Sequence, residues 1–558
     1  MMRPSEDSHA VYWNLAILGA VTAFVLLAAS HIRLPGLYYD ELIQVTPALH
    51  FVKGDAMNSQ SIELSNTAIG FQGHRLPLMT MGYIGAVKTI AFVPIAAALT
   101  LGPESIRYFT IMIGALALIA IAGFARRFLE PAAAVLAIIF VATDPSYIVY
   151  CRTDYGPTVF MMALKGVALW QLIIWWQTGR SWPLYWAALA TGVGVYDKTN
   201  FLWIVMAVAG AGFLLEPRFF ARLTWRQITF ACAFFVVGCL PLIAYNRHWP
   251  PASLAALQVQ NRLVSSEIHA PRSYGEVEHR LMQRTTVLAN LFTATSKIYS
   301  RNMPAPRFVI MPFVVFAASL FTLACYALPR VRRRWRREMF LLLVTFFITL
   351  LATLTPGAFK NHHLMLAYPL PHLLVASVVV RCARQSYRMR APLGATASAA
   401  IVCVCAVMPV TASMLRYRQI MVELKRTGGT GNWSDGIYAL NSWLETHDPG
   451  QPVVAVDWGI EQPLAVLSQG RLHCVDLWMV QNVADYQDFF NLPGTRYVLH
   501  APDETNFPEP REIFFEGARA RGLQANLVQT VADRTGHPTL LVYVLSEAPA
   551  SRPLSSAK

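Results

Sequence analysis

Long apolar runs recur along the chain as far as about residue 412. A helix needs about 20 apolar residues to cross the hydrocarbon core of a bilayer, and eleven runs reach or approach that length. They lie at about 11–30, 107–125, 131–149, 157–176, 183–196, 200–215, 227–245, 308–328, 338–354, 363–380 and 393–412. The pattern predicts a polytopic α-helical membrane protein with about eleven transmembrane helices.

One further run, 78–101, is long enough to span but contains Lys88 and Pro94. The arginines argue against counting it, because eleven spans with the N-terminus inside place the arginine-rich connections in the cytoplasm, as the positive-inside rule requires. These connections lie at 126–127, 180, 218–226, 330–337 and 381–390. We therefore expect 78–101 to lie along the outer interface, or to enter the membrane and return.

After about residue 413 the pattern changes. Alternating positions predict strands, and helical periodicity predicts helices between them. The strands lie at 452–458, 471–478, 496–500 and 539–545, and the helices at 434–446, 460–469 and 509–521. The chain thus divides into a transmembrane domain, 1–412, with outer loops 31–106 and 246–306, and a small α/β extracytoplasmic domain, 413–558. We expect no catalytic groups in the second domain, since its acids and histidines form no recognisable cluster.

Charge supports this division. Of all residues 55% are hydrophobic and 14% are charged, against about 25% charged in ordinary soluble proteins. The net charge is +14, yet residues 413–558 carry 12 basic and 16 acidic residues, which leaves +18 for the membrane part. The basic excess belongs to loops between spans, so it argues against a nucleic-acid partner.

Two adjacent carboxylates, Asp40 and Glu41, follow the first apolar run by about ten residues. A carboxylate partly removed from water has a raised pKa unless a cation or a metal compensates. The first case suits a general base and the second a metal site. The alternative is a solvated acidic pair with Asp40 as a helix N-cap.

A second group of ionisable residues lies at the outer end of the third run: Asp144, Arg152 and Asp154. Asp154 could share a cation or an acceptor with Asp40, and Arg152 could bind a phosphate with its planar fork. The alternatives are a turn at Asp144-Pro145 and a local Arg152–Asp154 ion pair.

The predicted topology also places Arg75, Lys88 and Lys198 at the outer face. Each could be a ligand in a site, or a cation whose apolar stem is buried while its charge reaches the membrane interface. The break at 196–200, between two short runs, places charge at membrane depth, as in helices that line a cavity. His362 and His363 could bind a metal or a phosphate. Since adjacent positions on a helix diverge by about 100°, we expect only one of the two histidines to point into a site.

Several short motifs resemble those of one family of enzymes. They are Asp40-Glu41 after the first span, Arg75-Leu76-Pro77-Leu78, Ser105-Ile106-Arg107, Ala125-Arg126-Arg127-Phe128, and Thr143-Asp144-Pro145 followed by Arg152 and Asp154. Together they resemble the GT-C glycosyltransferases, in the branch that holds protein O-mannosyltransferases and the lipid A aminoarabinose transferase. The resemblance covers about residues 30–215, and the later spans only in layout.

The resemblance implies a sugar donor carried on a polyprenyl phosphate, and a lipid, glycan or protein acceptor that arrives at the outer face of the cytoplasmic (inner) membrane. Asp40 matches the aspartate that acts at the acceptor hydroxyl, with Glu41 and Asp154 as supports. The Lys-Pro-Pro-Leu of the family is replaced at 75–78, which leaves the donor-phosphate cation open. The candidates are Arg152, Lys88, Arg75 and Lys198, and a divalent metal ion would have Glu41, Asp154, His362 and His363 as its ligands.

An inverting displacement needs one carboxylate base and cations that stabilise the departing phosphate, and both are present. Two other classes remain open. A secondary transporter also has broken helices and buried charges, but it predicts an inverted repeat and charges near mid-membrane. A non-catalytic envelope scaffold or lipid-binding protein would need no base at Asp40.

Overall fold

The structure is a computed structural model that describes residues 6–54, 68–248, 253–255, 258, 270–295, 303–356, 359–388, 393–447, 449–478, 490 and 494–547. Its helices in the first part of the chain are α1 (Glu6–Ala29), α2 (Tyr39–Leu42), α3 (Thr46–Lys53), α4 (Val87–Ala98), α5 (Pro103–Phe128), α6 (Pro131–Thr143), α7 (Pro145–Thr153), α8 (Thr158–Thr178), α9 (Ser181–Asp197), α10 (Leu202–Leu215), α11 (Arg218–Ala221) and α12 (Trp225–His248). The second part has α13 (Tyr274–Thr293), α14 (Met311–Ala327), α15 (Arg336–Leu354), α16 (Leu370–Tyr387), α17 (Leu393–Val402) and α18 (Met408–Thr427).

Each of the eleven predicted apolar runs falls on a helix or on a bent pair of helices. Among the described residues, six helices are long and apolar enough to cross a membrane, and α6 with α7, bent by 59°, makes a seventh if the pair counts as one span. The chain is therefore an integral membrane protein. The count of eleven spans stays a prediction, because several of the remaining helices are short.

The segment 78–101 does not form one long helix. It holds two short strands and α4, whose 12 residues extend about 18 Å, well short of a bilayer core of about 30 Å. Phe92 and Ala96 of α4 pack in one apolar cluster with Leu42 and Leu49. This part of the segment is thus packed within the protein.

Two helix boundaries are determined by polar groups and prolines. α9 ends at Asp197, Lys198 is extended, and a 3₁₀ turn leads into α10, so the break predicted at 196–200 is present. The run predicted at 363–380 starts late. Residues 361–366 form a 3₁₀ helix, and α16 begins at Leu370 with a proline in its first turn, as expected since proline has no amide hydrogen to lose there.

The C-terminal residues form a five-stranded sheet in the order β6-β5-β7-β9-β8. Its strands are β5 (Val453–Ala455), β6 (Cys474–Asp476), β7 (Arg496–His500), β8 (Leu523–Ala532) and β9 (Pro538–Glu547), after the short β1 (Ala68–Phe71), β2 (His74–Pro77), β3 (Met79–Met81) and β4 (Ile84–Gly85). The helices are α19 (Gly436–His447), α20 (Glu461–Leu467) and α21 (Glu509–Ala520). Strands β5 and β6 are parallel, and β9 is antiparallel to β7 and β8. Apolar residues of α19 and α20 pack on one face of the sheet, and those of α21 on the other.

The C-terminal residues lie against the loop that follows α1. Gly36 N donates to Trp433 O at 2.8 Å, and the Tyr438 hydroxyl donates to Arg33 O at 3.0 Å. The predicted boundary at 412 falls inside a helical stretch, because Leu393–Thr427 runs on for 35 residues. The sheet is thereby held directly above the loop that carries Asp40. The division into two domains stays a prediction.

Candidate active site

Glu41 is held by Arg107, which lies one turn into α5. The guanidinium donates from Nε to Oε1 at 2.7 Å and from Nη2 to Oε2 at 2.9 Å, and neither side chain is exposed. The same guanidinium donates to the carbonyls of Ile32 and Pro35. Since both Glu41 oxygens accept from one cation, Glu41 fixes the loop that carries its neighbour. Arg107 was quoted in the sequence only as part of a motif, since its pairing joins residues 66 positions apart.

Lys88 forms a second buried ion pair, with Asp154. Its Nζ lies 2.7 Å from Asp154 Oδ2, with both side chains fully buried, and donates to Glu41 O at 2.9 Å. The other carboxylate oxygen of Asp154 accepts from Val159 N at 2.9 Å. Asp154 caps the end of α7 with φ of 43°, a left-handed conformation that aspartate tolerates better than most residues. Lys88 therefore joins α4, the Asp40 loop and α7.

Arg152 is fully buried and makes hydrogen bonds with the chain around the end of α1. It donates to Ala28 O at 2.8 Å and to Ser30 O at 2.7 Å. A further bond at 3.1 Å goes to the hydroxyl of Tyr417 on α18. The alternative of a local ion pair between Arg152 and Asp154 does not hold, because α7 ends between the two residues and Asp154 pairs with Lys88. Arg152 thus connects three helices, and its phosphate role stays a prediction.

Asp40 differs from the two other carboxylates because its side chain remains partly exposed, whereas Glu41 and Asp154 are buried. Its partial burial raises the pKa of Asp40 to about 6, and the charges of Lys198, Lys360 and Lys88 oppose this shift. The N-cap alternative does not hold, since α2 begins at Tyr39 with Tyr38 as its N-cap. Asp40 is thus an accessible carboxylate with cations around it.

Lys198 lies in the break between α9 and α10 and is 4% exposed. Burial lowers the pKa of its ammonium to about 8, against the opposing charges of Asp40, Asp197 and Asp154. A β-bridge between Ile84 and Lys198 fixes its backbone. The break therefore delivers a cation close to the accessible carboxylate, which α9 and α10 as one continuous helix would not do.

The remaining predicted residues lie around this centre. Arg75 is exposed on β2. The ring of His362 stacks on Tyr155 with centroids 4.9 Å apart, and His363 lies 4.2 Å from His362, so the two rings adjoin on a 3₁₀ turn. Lys360 was not among the candidates named from the sequence. It is exposed, and its charge lowers the pKa of Asp40.

Four residues were named from the sequence as possible metal ligands, and their role as ligands stays a prediction. Among the described residues, Glu41, Asp154, His362 and His363 do not bring three ligand atoms together, and one other group does so elsewhere. The physical reason is that Arg107 and Lys88 already compensate the two carboxylates. Each of the two carboxylates thus has a cation of the chain as its partner.

Aromatic side chains form an aromatic cover next to Asp40, made of Tyr38, Tyr39, Tyr155, Trp433 and Trp458. Tyr38 lies 5.2 Å from Tyr155 and 5.4 Å from Trp433, and Tyr39 lies 5.0 Å from Trp458, all measured between ring centroids. Trp433 and Trp458 come from the C-terminal residues, to which the sequence had assigned no place at the site. Their contribution was not visible in the sequence, because it depends on how that part docks.

Known proteins share this fold. The family model described as dolichyl-phosphate-mannose-protein mannosyltransferase matches residues 92–245. The crystal structure of ArnT from Cupriavidus metallidurans bound to undecaprenyl phosphate is 12% identical and covers 96% of this chain and 99% of its own, with a TM-score of 0.57. Its apo state is 13% identical and covers 96% and 98%, with a TM-score of 0.59.

A more distant likeness is to the archaeal oligosaccharyltransferase AglB from Archaeoglobus fulgidus in complex with an inhibitory peptide and a dolichol-phosphate. It is 12% identical and covers 97% of this chain and 75% of its own, with a TM-score of 0.50. No curated protein sequence matches the chain. The resemblance to the GT-C glycosyltransferases seen in the sequence is confirmed by the family model and the shared fold.

Proposed function

From this shared fold, we propose that the protein transfers a sugar from a polyprenyl-phosphate donor to a lipid, glycan or protein acceptor at the outer face of the cytoplasmic membrane. One observation carries the proposal: Asp40 is a partly exposed carboxylate whose pKa is raised to about 6 among lysines. A base with this pKa is mostly ionised at pH 7 and still has appreciable proton affinity. It is therefore suited to take a proton from a hydroxyl.

The reaction is an inverting displacement. The acceptor oxygen attacks the anomeric carbon, Asp40 takes the hydroxyl proton, and the bond from that carbon to the phosphate oxygen breaks. Its electron pair leaves with the lipid phosphate. Glu41 and Asp154 act by position, since their ion pairs with Arg107 and Lys88 hold α2 between α4, α5 and α7.

The departing phosphate gains negative charge, which a preorganised cation in a site of low dielectric stabilises. Among the four candidates, the contacts favour Lys198. Arg152 donates to carbonyl oxygens around α1, and Lys88 pairs with Asp154, while Arg75 is exposed on β2. Lys360, exposed and acting on Asp40, is a natural second cation.

The nature of the donor rests on similarity. ArnT was crystallised with undecaprenyl phosphate, and AglB was solved with a dolichol-phosphate. Both ligands are polyprenyl phosphates, which supports the donor class for a chain that shares their fold. The outer location of the site rests on the positive-inside distribution of arginines. Orientation and donor class thus have separate support.

The test is direct. Purified full-length protein is incubated with a panel of polyprenyl-phosphate sugars and a mixture of envelope lipids, glycans and peptides, and donor consumption is followed by mass spectrometry. We expect one donor to be consumed with release of the lipid phosphate. Consumption by wild type and by the exposed control Glu509→Gln, but not by Asp40→Asn, supports the proposal. A scaffold or a transporter would consume no donor.

A further inference from the structure

A second group of ionisable side chains lies far along the chain from Asp40, where β7 ends and where β8 turns into β9. The side chains are Asp503, Glu504 and His537, and their ligand atoms lie within 4.8 Å of one another. The sheet register explains why they meet. His500 of β7 pairs with Leu540 of β9, so residues just after the first and just before the second become neighbours. The expectation that this part has no cluster of acids and histidines is therefore wrong.

We propose that these three side chains bind a divalent transition-metal ion of the Zn²⁺ class. His537 Nε2 lies 3.0 Å from Asp503 Oδ2 and 3.3 Å from Glu504 Oε1. For metal–ligand bonds of about 2.0–2.1 Å, neighbouring ligand atoms are about 2.8–3.0 Å apart in octahedral and about 3.3–3.4 Å apart in tetrahedral geometry. One imidazole nitrogen and two carboxylate oxygens are ligand types that such ions accept.

The orientation of His537 favours a metal ion over a plain ion pair. Its Nε2 atom is buried, yet it makes no hydrogen bond of acceptable geometry with any described residue, although two carboxylate oxygens lie within 3.3 Å. A protonated imidazole would direct its N–H along the line to one of these oxygens. A buried ring nitrogen without a hydrogen bond, beside two carboxylate oxygens, is an arrangement that a metal ion can complete.

The loops that carry the three side chains are fixed by the backbone. Asp533 Oδ1 accepts from Thr535 N at 2.8 Å and from His537 N at 3.1 Å, and Asp533 N donates to His537 O at 2.8 Å. On the other side, Glu504 N donates to Ala501 O at 2.9 Å. The Glu504 side chain is 4% exposed and that of Asp503 is 59% exposed, so water can reach the open coordination positions. A preorganised set of this kind loses little entropy on binding.

The position of the group indicates what the metal ion would do. A Cβ atom added at Gly431 would lie 3.3 Å from both Glu504 O and Glu504 Oε2, so the turn 431–433 rests against this residue. That turn carries Trp433, whose ring lies 5.4 Å from that of Tyr38. A bound ion would hold Glu504 in place, and with it the turn that carries Trp433 beside Tyr38. The site itself does not depend on the proposed sugar transfer.

The experiment uses full-length protein in detergent, stripped with a chelator and then dialysed against buffer with a slight excess of Zn²⁺. We expect one retained zinc per chain by elemental analysis, and a rise in Tm of about 3 °C or more with free zinc well above its Kd. Asp503→Asn and His537→Gln should each lose the retained zinc and the rise in Tm. His473→Ala, an exposed histidine of the same sheet region, is the matched control and should keep both.

Parallel samples with Mn²⁺, Mg²⁺ and Ca²⁺ identify the ion class, and we expect Mg²⁺ and Ca²⁺ to bind more weakly because they prefer oxygen ligands alone. Because Asp503 is mostly exposed, its variant should fold, which circular dichroism and gel filtration verify. Wild-type protein that retains no zinc would overturn the proposal. So would zinc retained equally by Asp503→Asn and His537→Gln, because other residues would then hold it.

Discussion

Arg107 binds both carboxylate oxygens of Glu41, at 2.7 and 2.9 Å, in a place that water does not reach. Removing one partner of such a pair leaves a buried charge without compensation, at a typical cost of about 3–5 kcal/mol. We expect Glu41→Gln to lower the free energy of unfolding by this amount, measured by denaturant titration in detergent. Arg107→Lys should do nearly as much harm, because an ammonium lacks the planar fork.

The chain supplies its own control for this prediction. Arg33 and Glu104 also form an ion pair, at 2.6 Å, but their side chains are 69% and 44% exposed. Exposed pairs contribute about 0–1 kcal/mol, so Glu104→Gln should change unfolding little. If Glu41→Gln and Glu104→Gln proved equally mild, the buried pair would not be what holds α2 in place.

Removing the carboxylate of Asp40 should abolish most of the activity. We expect Asp40→Asn to lower kcat by about 10²-fold or more, the usual scale for a positioned general base. Donor affinity should be largely retained, since the base faces the acceptor. In the wild type, the rate should rise with pH through about 6, where Asp40 loses its proton. Activity within a few-fold of wild type in the variant would remove Asp40 from the mechanism.

The same carboxylate should make stability depend on pH. Its pKa is about 6 in the folded protein and 3.8 when unperturbed, so the folded state binds more protons between these values. Unfolding free energy should therefore fall as pH rises from about 4 to about 7. At 1.36 kcal/mol per pKa unit, Asp40→Asn should be more stable than wild type at pH 7 by up to about 3 kcal/mol. Denaturant titrations of both proteins at pH 4.5 and 7.5 check the sign.

Substitution of Lys198 should affect donor binding, whereas substitution of Arg152 should affect thermal stability. Lys198→Gln should keep the Tm and weaken donor binding and turnover by about 10-fold or more, as expected for loss of a cation at a developing charge. Arg152→Lys should lower the Tm instead, because several bonds to the chain around α1 are lost. Donor titration and thermal scans of both variants separate the two roles. Unchanged donor binding in Lys198→Gln would return the phosphate to Arg152, Lys88 or Arg75.

Topology can be tested with single cysteines in a cysteine-free background. A cysteine at the exposed Glu509 should react with an impermeant reagent from outside, and one at the exposed Arg333 only after the membrane is opened. This expectation follows from the positive-inside rule. The reverse labelling pattern would place Asp40 and the sheet in the cytoplasm and would exclude transfer at the outer face.

The sequence predicted elements whose signal is local. Each apolar run is helical, and all four strands predicted after residue 413 are present, because periodicity reports burial along one segment. Strand β8 was missed. Most of its residues are at least partly exposed at the edge of the sheet, so no alternation marks it. The late start of α16 was also missed, since the second half of the 3₁₀ turn, residues 364–366, is as apolar as the helix that follows it.

The site was predictable only in its composition. Asp40, Lys88 and Lys198 were identified as candidates because each is a charged residue in or beside an apolar stretch of the sequence. Their pairings were not accessible, because Lys88–Asp154 and Arg107–Glu41 join distant positions through packing. For the same reason, Arg152 was named as a candidate for the donor phosphate although its guanidinium donates to backbone carbonyls.

The helical stretch Leu393–Thr427 connects the membrane part of the chain to the residues that form the sheet. Its 35 residues span about 52 Å at 1.5 Å per residue, and the hydrocarbon core takes about 30 Å of that length. The stretch is therefore longer than one crossing requires, and its last turns, with Tyr417, Ile420 and Leu424, are buried in the main apolar core of the protein. Since Tyr417 on this stretch accepts a hydrogen bond from Arg152, one continuous helical stretch joins the chain around the end of α1 to the residues that form the sheet.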